Sequence, residues 1–177
     1  MAETFVEEIP EIAHATRIGN FWGTPSLKYG DKAFTEEKVY HADSNFFEFF
    51  SYKLIAGDSK TALKDPNTVV LTESIARKYF GDESGLGKLV TVGGYQTYKV
   101  TGIAADAPLN SHFIFHVLLS AASAEQMQRS AWLNNFLYTY IMLEEKTDIE
   151  DVEAKFPELI VKYVGPEVEK FMGVSIK

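Results

Sequence analysis

Cysteine is absent from the 177 residues, which excludes disulfide bonds, zinc–thiolate sites and thiol nucleophiles. Arginine is almost as scarce, because only Arg17, Arg77 and Arg129 occur, far apart along the chain. The 17 basic side chains are outnumbered by 25 acidic ones, which gives a net charge of −8. A chain of this charge repels phosphate backbones, so we expect no nucleic-acid partner. No apolar run reaches about 18 residues, so none of these residues is expected to span a membrane.

Apolar and aromatic residues are plentiful, at 46% and 14% of the chain. This composition excludes disorder and predicts one globular domain, or two lobes that share a core. The first residues, Met1–Pro10, lack the basic and apolar regions of a signal peptide. The last residues, Phe171–Lys177, resemble a strand without a closing turn. We therefore expect the chain to be part of a longer protein.

The predicted elements alternate without a regular βαβα rhythm, which indicates an α+β fold. We expect about eight strands and four or five helices. The clearest hairpin joins 88–92 to 97–104 across Gly93 and Gly94. A buried strand, Thr68–Leu71, precedes a helix that begins after Thr72 and ends at Gly81.

Four further elements follow from local patterns. Thr4–Ile12 is expected to form a helix that ends or distorts at Pro10. Ala33–Ala42 and His112–Leu119 are each expected to form one strand. Thr147 and Glu150 have the spacing of a capping box at the start of the strongest helix. The apolar stripe of that helix comprises Ile149, Val152, Phe156, Leu159, Ile160, Tyr163 and Val164, and Pro157 is expected to kink it or divide it in two.

Four phenylalanines occur within five positions, at Phe46, Phe47, Phe49 and Phe50. On a helix they point in nearly every direction, so this turn must be buried on several sides. We predict that it is a structural hub of the core. Phe47→Ala is then expected to lower the stability by about 3 kcal/mol or more.

A long turn between two predicted strands follows Gly102. It carries the candidate partner-contact residues Asp106, Pro108, Asn110 and Ser111. A purely structural crossover and a partner-contacting loop explain this pattern equally well.

No pattern of catalytic or ligand-binding residues emerges. His112 and His116 would lie about 13 Å apart on one face of a strand, too far to share a metal ion. The segment Gly81–Lys88 lacks the Gly-Lys-Ser/Thr ending of a phosphate loop and precedes a strand instead of a helix. No nucleophile elbow is present, and the paired carboxylates lie in polar stretches. We therefore expect no enzyme, no metal and no cofactor in this chain.

Three segments together resemble a known family. They are Ala42–Asp58 (ADSNFFEFFSYKLIAGD), Asn67–Gly87 (NTVVLTESIARKYFGDESGLG) and Tyr98–Ser120 (YKVTGIAADAPLNSHFIFHVLLS). In this order and spacing they look like the MacB-like periplasmic core domain of FtsX-type ABC transporter permeases. The resemblance covers roughly residues 4–165. Two differences are the Ser84-Gly85 pair, where the family often has Asp-Pro, and a further strand that the family carries beyond the position of Lys177.

The resemblance implies an α+β fold with a mixed sheet in a porter-like lobe and a smaller inserted α/β lobe, placed near 69–104. It implies a non-catalytic domain between two transmembrane helices of an inner-membrane protein, on the periplasmic side. The implied partners are a second permease copy in a homodimer, a cytoplasmic ABC ATPase that binds ATP, and a periplasmic adaptor or envelope protein. Membrane contact would run through flanking helices outside this sequence.

The implied role is to couple ATP-driven movement of the membrane subunit to export or to a partner on the outer side. The alternative is an extracytoplasmic sensing domain that binds a small molecule or peptide between its lobes. Stabilisation by a small ligand in a thermal-shift screen would favour sensing.

Overall fold

The computed structural model describes residues 2–128, 132–133 and 136–175. These residues form ten strands: β1 (Ile12–Asn20), β2 (Ser26–Tyr29), β3 (Lys32–Thr35), β4 (Val39–Ala42), β5 (Leu54–Gly57), β6 (Thr68–Thr72), β7 (Leu89–Val92), β8 (Gln96–Ala104), β9 (Val117–Ser120) and β10 (Leu137–Leu143). They also form seven α-helices: α1 (Ala2–Glu8), α2 (Phe46–Phe50), α3 (Glu73–Phe80), α4 (Glu125–Gln128), α5 (Ile149–Glu153), α6 (Phe156–Leu159) and α7 (Gly165–Met172). A 3₁₀ turn at Ala121–Ser123 and a π-helical turn at Ile160–Val164 complete the elements.

All ten strands belong to one mixed sheet, in the order β10-β1-β4-β9-β6-β8-β7-β2-β3, with β5 paired to β8 outside this path. Only β4 with β9 and β6 with β8 run parallel; the other pairs are antiparallel. The hairpin of β7 and β8 turns through Gly93 and Gly94, both at positive φ, as predicted from the glycine pair. The α+β class with a mixed sheet is confirmed.

Strand β6 lies at the centre of the sheet and is buried along its whole length. Its side chains alternate between two apolar cores, since Val69 and Leu71 join one core while Val70 joins the other. The first core is closed by α3, whose Ile75, Tyr79 and Phe80 are buried against it. The second core is closed by α2 and by the aromatic segment 113–115.

A smaller apolar cluster holds the N-terminal and C-terminal helices together. Ile9 and Ile12 pack with Val152 and Leu159, and Phe5 contributes its ring at the margin. The cluster thereby attaches the terminal helices to the β1–β10 end of the sheet.

Two boundaries near the N-terminus differ from the prediction. Helix α1 ends at Glu8, before Pro10, and Ile12 begins β1 instead of lying on the helix. The predicted strand Ala33–Ala42 divides into β3 and β4, because Lys38 adopts a left-handed φ of 54° that interrupts extended backbone. The two pieces pair with different strands, β3 with β2 and β4 with β1 and β9.

Two further predictions were wrong. Of the predicted strand His112–Leu119 only the end pairs, as β9, whereas 112–116 forms no regular element. The capping box is also incorrect, because the Asp148 side chain accepts the hydrogen bond from the Glu150 amide. The long helix divides into α5, α6, the π-helical turn and α7. Consequently Ile149 and Ile160 of the predicted stripe are exposed, although Val152 and Leu159 are buried.

The segment 69–104 contributes β6, α3, β7 and β8. These strands are continuous with the rest of the sheet through β9. The boundary of a smaller lobe within 69–104 stays a prediction.

Candidate interaction surface

Phe46 is fully buried and lies at the centre of an aromatic cluster. Its ring centroid is 5.0–5.9 Å from those of five other rings: Phe47, Phe50, Tyr52, Phe113 and Phe115. Most of these pairs are edge-to-face or tilted, which is the arrangement that aromatic quadrupoles favour. We call these six residues the aromatic hub.

The four phenylalanines of α2 have unequal environments. Phe46 and Phe47 are buried, whereas Phe49 and Phe50 are half-buried. Phe50 reaches outward from the hub to Tyr140 of β10, at 5.0 Å between centroids, and Phe49 contacts Phe50 at 4.9 Å. The turn therefore links the centre of the second core to the sheet and to the surface.

The position of α2 is set by a polar contact at its start and by a left-handed residue at its end. Asn45 precedes the helix and donates its side-chain amide to the carbonyl oxygen of Ala15 at 2.8 Å. Ser51 then ends the helix in the left-handed conformation, at φ 55°. These contacts hold the short helix against β1, since five residues alone would not form a stable helix.

The segment 105–112, which we call the outer loop, follows β8 and runs beside the hub. The hydroxyls of Tyr52 and Ser111 both donate to the carbonyl oxygen of Phe113, at 2.5 and 2.8 Å. At the other end of the loop, Ser74 donates to the Asp106 carboxylate at 2.7 Å. The loop is thus anchored to the hub at one end and to the start of α3 at the other.

The tip of the outer loop is exposed. Leu109 is 97% accessible, and Asp106, Pro108 and Asn110 are also exposed. A cavity of about 430 Å³ lies beside the loop. It is lined by Phe50 to Lys53 on one side and by Ala105, Asp106, Pro108, Ser111 and His112 on the other.

Some of the predicted hub residues and some of the predicted partner-contact residues therefore lie together at this surface. Phe50 of the hub and Asp106, Pro108 and Ser111 of the loop line the same cavity. Phe46 and Phe47 are buried in the core, and Asn110 is exposed but does not line the cavity. The arrangement offers an exposed, mixed polar and apolar loop on a tightly packed aromatic base.

An ion pair between Arg17 and Asp43 was not predicted. The guanidinium binds both carboxylate oxygens at 3.0 Å and donates to the carbonyl oxygen of Met127 at 2.9 Å. The Asp43 side chain also accepts from the Arg17 backbone amide at 2.8 Å, and it raises the pKa of the guanidinium. The scarcity of arginine is the only sequence signal that singled out Arg17. The pair lines another cavity, of about 450 Å³, beside α1.

The geometry offers no metal centre in the described part of the chain. Within 2–128, 132–133 and 136–175, no group of three or more histidine or acidic side chains is placed to hold a metal ion. His112 packs against the ring of Tyr140 at 5.8 Å, and the backbone amide of His116 donates to the carbonyl oxygen of Lys38. In the same ranges, every helix is too short or too polar to cross a bilayer.

Comparison with known families identifies the family of the chain. The family model of the MacB-like periplasmic core domain matches residues 1–159, which is most of the chain. The chain belongs to this family. No curated protein is similar enough to match the chain.

Three solved structures have the same fold as this MacB-like periplasmic core domain. A domain of a putative permease protein from Porphyromonas gingivalis has a TM-score of 0.79 and 28% identity, over 92% of this chain and 76% of that one. The periplasmic region of MacB from Actinobacillus actinomycetemcomitans has a TM-score of 0.68 and 19% identity, over 91% and 71%. The extracellular domain of the noncanonic ABC-type transporter YknZ from Gram-positive bacteria has a TM-score of 0.61 and 14% identity, over 99% and 86%.

The MacB-like domain is therefore the periplasmic domain of a permease of the MacB/FtsX type. The expected family is confirmed, and with it the periplasmic placement and the link to ABC transport. A non-catalytic role accords with a family of transporter domains. The roles of the hub and of the outer loop stay predictions.

Proposed function

We propose that this domain couples ATP-driven movement of a membrane permease to export or to a partner protein on the outer side, and that the outer loop is the contact point. The observation that carries the proposal is an exposed loop fixed at both ends to a rigid base. Tyr52 and Ser111 hold one end through the Phe113 carbonyl, and Ser74 holds the other through Asp106.

Transmission of movement requires a body that does not deform. Densely packed interiors have low compressibility and transmit strain. The aromatic hub is joined directly to the outer loop, because Ser111 of the loop bonds to the hub residues Tyr52 and Phe113. A displacement of the sheet would therefore move Leu109 and its neighbours with the core, instead of being absorbed locally.

The partners follow from the family. Permeases of the MacB/FtsX type work with ABC ATPases, so we assign the ATP to a cytoplasmic ATPase and no cofactor to this chain. A second permease copy, in a homodimer, and a periplasmic adaptor or envelope protein complete the proposed assembly. The membrane contact belongs to flanking helices of the full-length permease.

A photo-crosslinking amino acid at position 109 of the full-length permease, in its native cells, tests the proposal. Crosslinks to a protein other than the permease should form, and their yield should change when the ATPase partner cannot hydrolyse ATP. Leu89 is a matched control, since it is an exposed leucine on β7 and is 61% accessible. Two results would contradict the proposed contact between the loop and a partner. One is equal crosslinking at positions 89 and 109, and the other is a crosslinking yield that does not change when the ATPase cannot hydrolyse ATP.

Small-molecule sensing is a second candidate function, favoured by the cavity of about 430 Å³ beside the outer loop. Ligand pockets commonly enclose about 300–1,000 Å³. A small molecule that raises the melting temperature of the wild type, but not of Tyr52→Ala, would support sensing at this cavity. Coupling without sensing predicts no such stabilisation.

A further inference from the structure

A second, smaller cavity lies on the other face of the sheet from the hub. It encloses about 190 Å³ between Phe21 and Trp22, which lead from β1 to β2, the start of β8, and the turn near Ser123. This volume is below the range of about 300–1,000 Å³ that is usual for pockets of drug-sized ligands. It has room for one side chain.

Aromatic side chains form its walls. Phe21 stacks on His41 with ring centroids 5.7 Å apart and planes 16° from parallel, and the buried Tyr98 lies alongside. Trp22 and Tyr95 stand at the rim and are 77% and 79% exposed. Large aromatic residues at the rim of a small pocket are typical of the points where a protein partner is anchored.

The floor carries a buried imidazole. His41 is only 6% exposed and lines the cavity, and no hydrogen bond from any of the described residues reaches its ring. Burial lowers the pKa of His41 to about 4, so the imidazole is neutral near pH 7. A neutral imidazole offers one N–H donor and one nitrogen acceptor.

Among the described residues, the lining contains no aspartate, glutamate, lysine or arginine, although charged residues make up 24% of the chain. A charged group that entered would lose its hydration without gaining a counter-charge. An aliphatic side chain would fill the space but leave the imidazole unpaired. A phenol is uncharged and can also pair with the imidazole, because its ring stacks on aromatic walls while its hydroxyl donates and accepts hydrogen bonds.

We infer that this cavity is a docking pocket for one tyrosine side chain of a protein partner. The ring enters between Trp22 and Tyr95 and lies near Phe21, and the hydroxyl reaches His41. The pocket and the cavity beside the outer loop share no lining residue, so docking here does not depend on the function proposed for the loop.

Titration of the 177-residue chain with uncharged amino-acid derivatives tests this inference. N-acetyl-tyrosinamide should produce saturable NMR shifts at the Trp22 indole and the His41 ring. N-acetyl-phenylalaninamide should bind about fivefold more weakly, because it lacks the hydrogen bond. His41→Phe should abolish that preference, and Trp22→Ala should weaken both derivatives, while Tyr138→Ala, an exposed tyrosine on β10, should change neither.

Three results would overturn the inference. The first is the absence of saturable shifts at Trp22 and His41, or equal affinity for both derivatives. The second is tighter binding of free tyrosine than of N-acetyl-tyrosinamide, which would identify a free amino acid as the ligand. The third is a dimer that Trp22→Ala dissociates, which would identify a second copy of this chain as the occupant.

Discussion

Replacement of Phe46 by alanine is the perturbation that most directly probes the hub. The side chain is fully buried, and five rings lie within 5.9 Å of its centroid. Alanine would leave a cavity that these rings cannot fill, since they are held by α2, by the segment 113–115 and by the backbone near Tyr52. Phe49 is the matched control, because it lies on the same turn but is half-buried and has one ring contact.

The expected magnitudes differ several-fold. Phe→Ala at a buried site costs about 3–5 kcal/mol, and the number of ring contacts puts Phe46→Ala near 4 kcal/mol, since aromatic pairs add about 0.5–1.5 kcal/mol beyond burial. Phe49→Ala loses part of one face and should cost about 1 kcal/mol. In a domain of this size, about 2–4 °C of melting temperature corresponds to 1 kcal/mol, so Phe46→Ala should melt roughly 8–16 °C lower.

Urea unfolding followed by circular dichroism gives both free energies from the midpoints. With a slope of about 2 kcal/mol/M, the Phe46→Ala midpoint should fall by about 2 M. An unchanged slope is needed to attribute the shift to stability of the native state. The reasoning is refuted if Phe46→Ala costs no more than Phe49→Ala.

Three further predictions concern polar groups. Burial lowers the pKa of His41 from 6.5 to about 4, so the unfolded chain binds a proton at a higher pH than the folded chain does. The free energy of unfolding should therefore fall by about 2 kcal/mol from pH 7 to pH 5. This loss should disappear in His41→Gln. Arg17→Ala leaves the Asp43 carboxylate without its bidentate partner and should cost about 2–3 kcal/mol in urea unfolding. Tyr52→Phe removes a donor to the Phe113 carbonyl, so it should cost about 1 kcal/mol and speed hydrogen exchange of the 106–111 amides.

Each of these predictions has a result that would contradict it. A pH dependence that is identical in His41→Gln would show that another group titrates. Asp43→Asn added to Arg17→Ala should recover part of the lost stability, and strict additivity would argue against coupling of the pair. Unchanged exchange in Tyr52→Phe would mean that the outer loop is held by other contacts.

The helical turn of phenylalanines could be predicted because local composition is sufficient there. Four rings in five positions must be buried on several sides, whatever surrounds them. Which of the four rings is most deeply buried could not be predicted, because the partners Phe113, Phe115 and Tyr140 come from remote parts of the chain. The central position of Phe46 is a consequence of tertiary packing.

The predicted strand at His112–Leu119 failed for a related reason. An apolar run indicates burial, but it does not show whether the backbone pairs with a neighbour. In this segment Phe113 and Phe115 are buried in the second core, and pairing begins only at Val117. The capping box failed because Asp148, one residue along, also has an N-cap side chain and accepts from the Glu150 amide that Thr147 was predicted to bond.

The polar sites lay beyond local patterns altogether. Arg17 and Asp43 are 26 residues apart, and the cavity around His41 collects residues from β4, β8 and the turn near Ser123. No short spacing marks such sites, because β1, β4 and β9 become neighbours only in the folded sheet. By contrast, the family could be identified from three long segments, whose order and spacing carry far more information than any single residue.

Coupling between ATP and the outer domain is the central claim, and an electron-spin distance measurement tests it most directly. The domain has no cysteine, so Asn110→Cys introduces its one labelling site, in the outer loop, once any cysteines elsewhere in the permease are replaced. In the full-length permease with its ATPase, the distance between the two labels of a dimer should shift between the nucleotide-free and ATP-bound states. A second pair within one domain, Asn110→Cys with Lys60→Cys, should keep its distance, because the domain moves as one body. An identical distance between copies in both states would contradict the account.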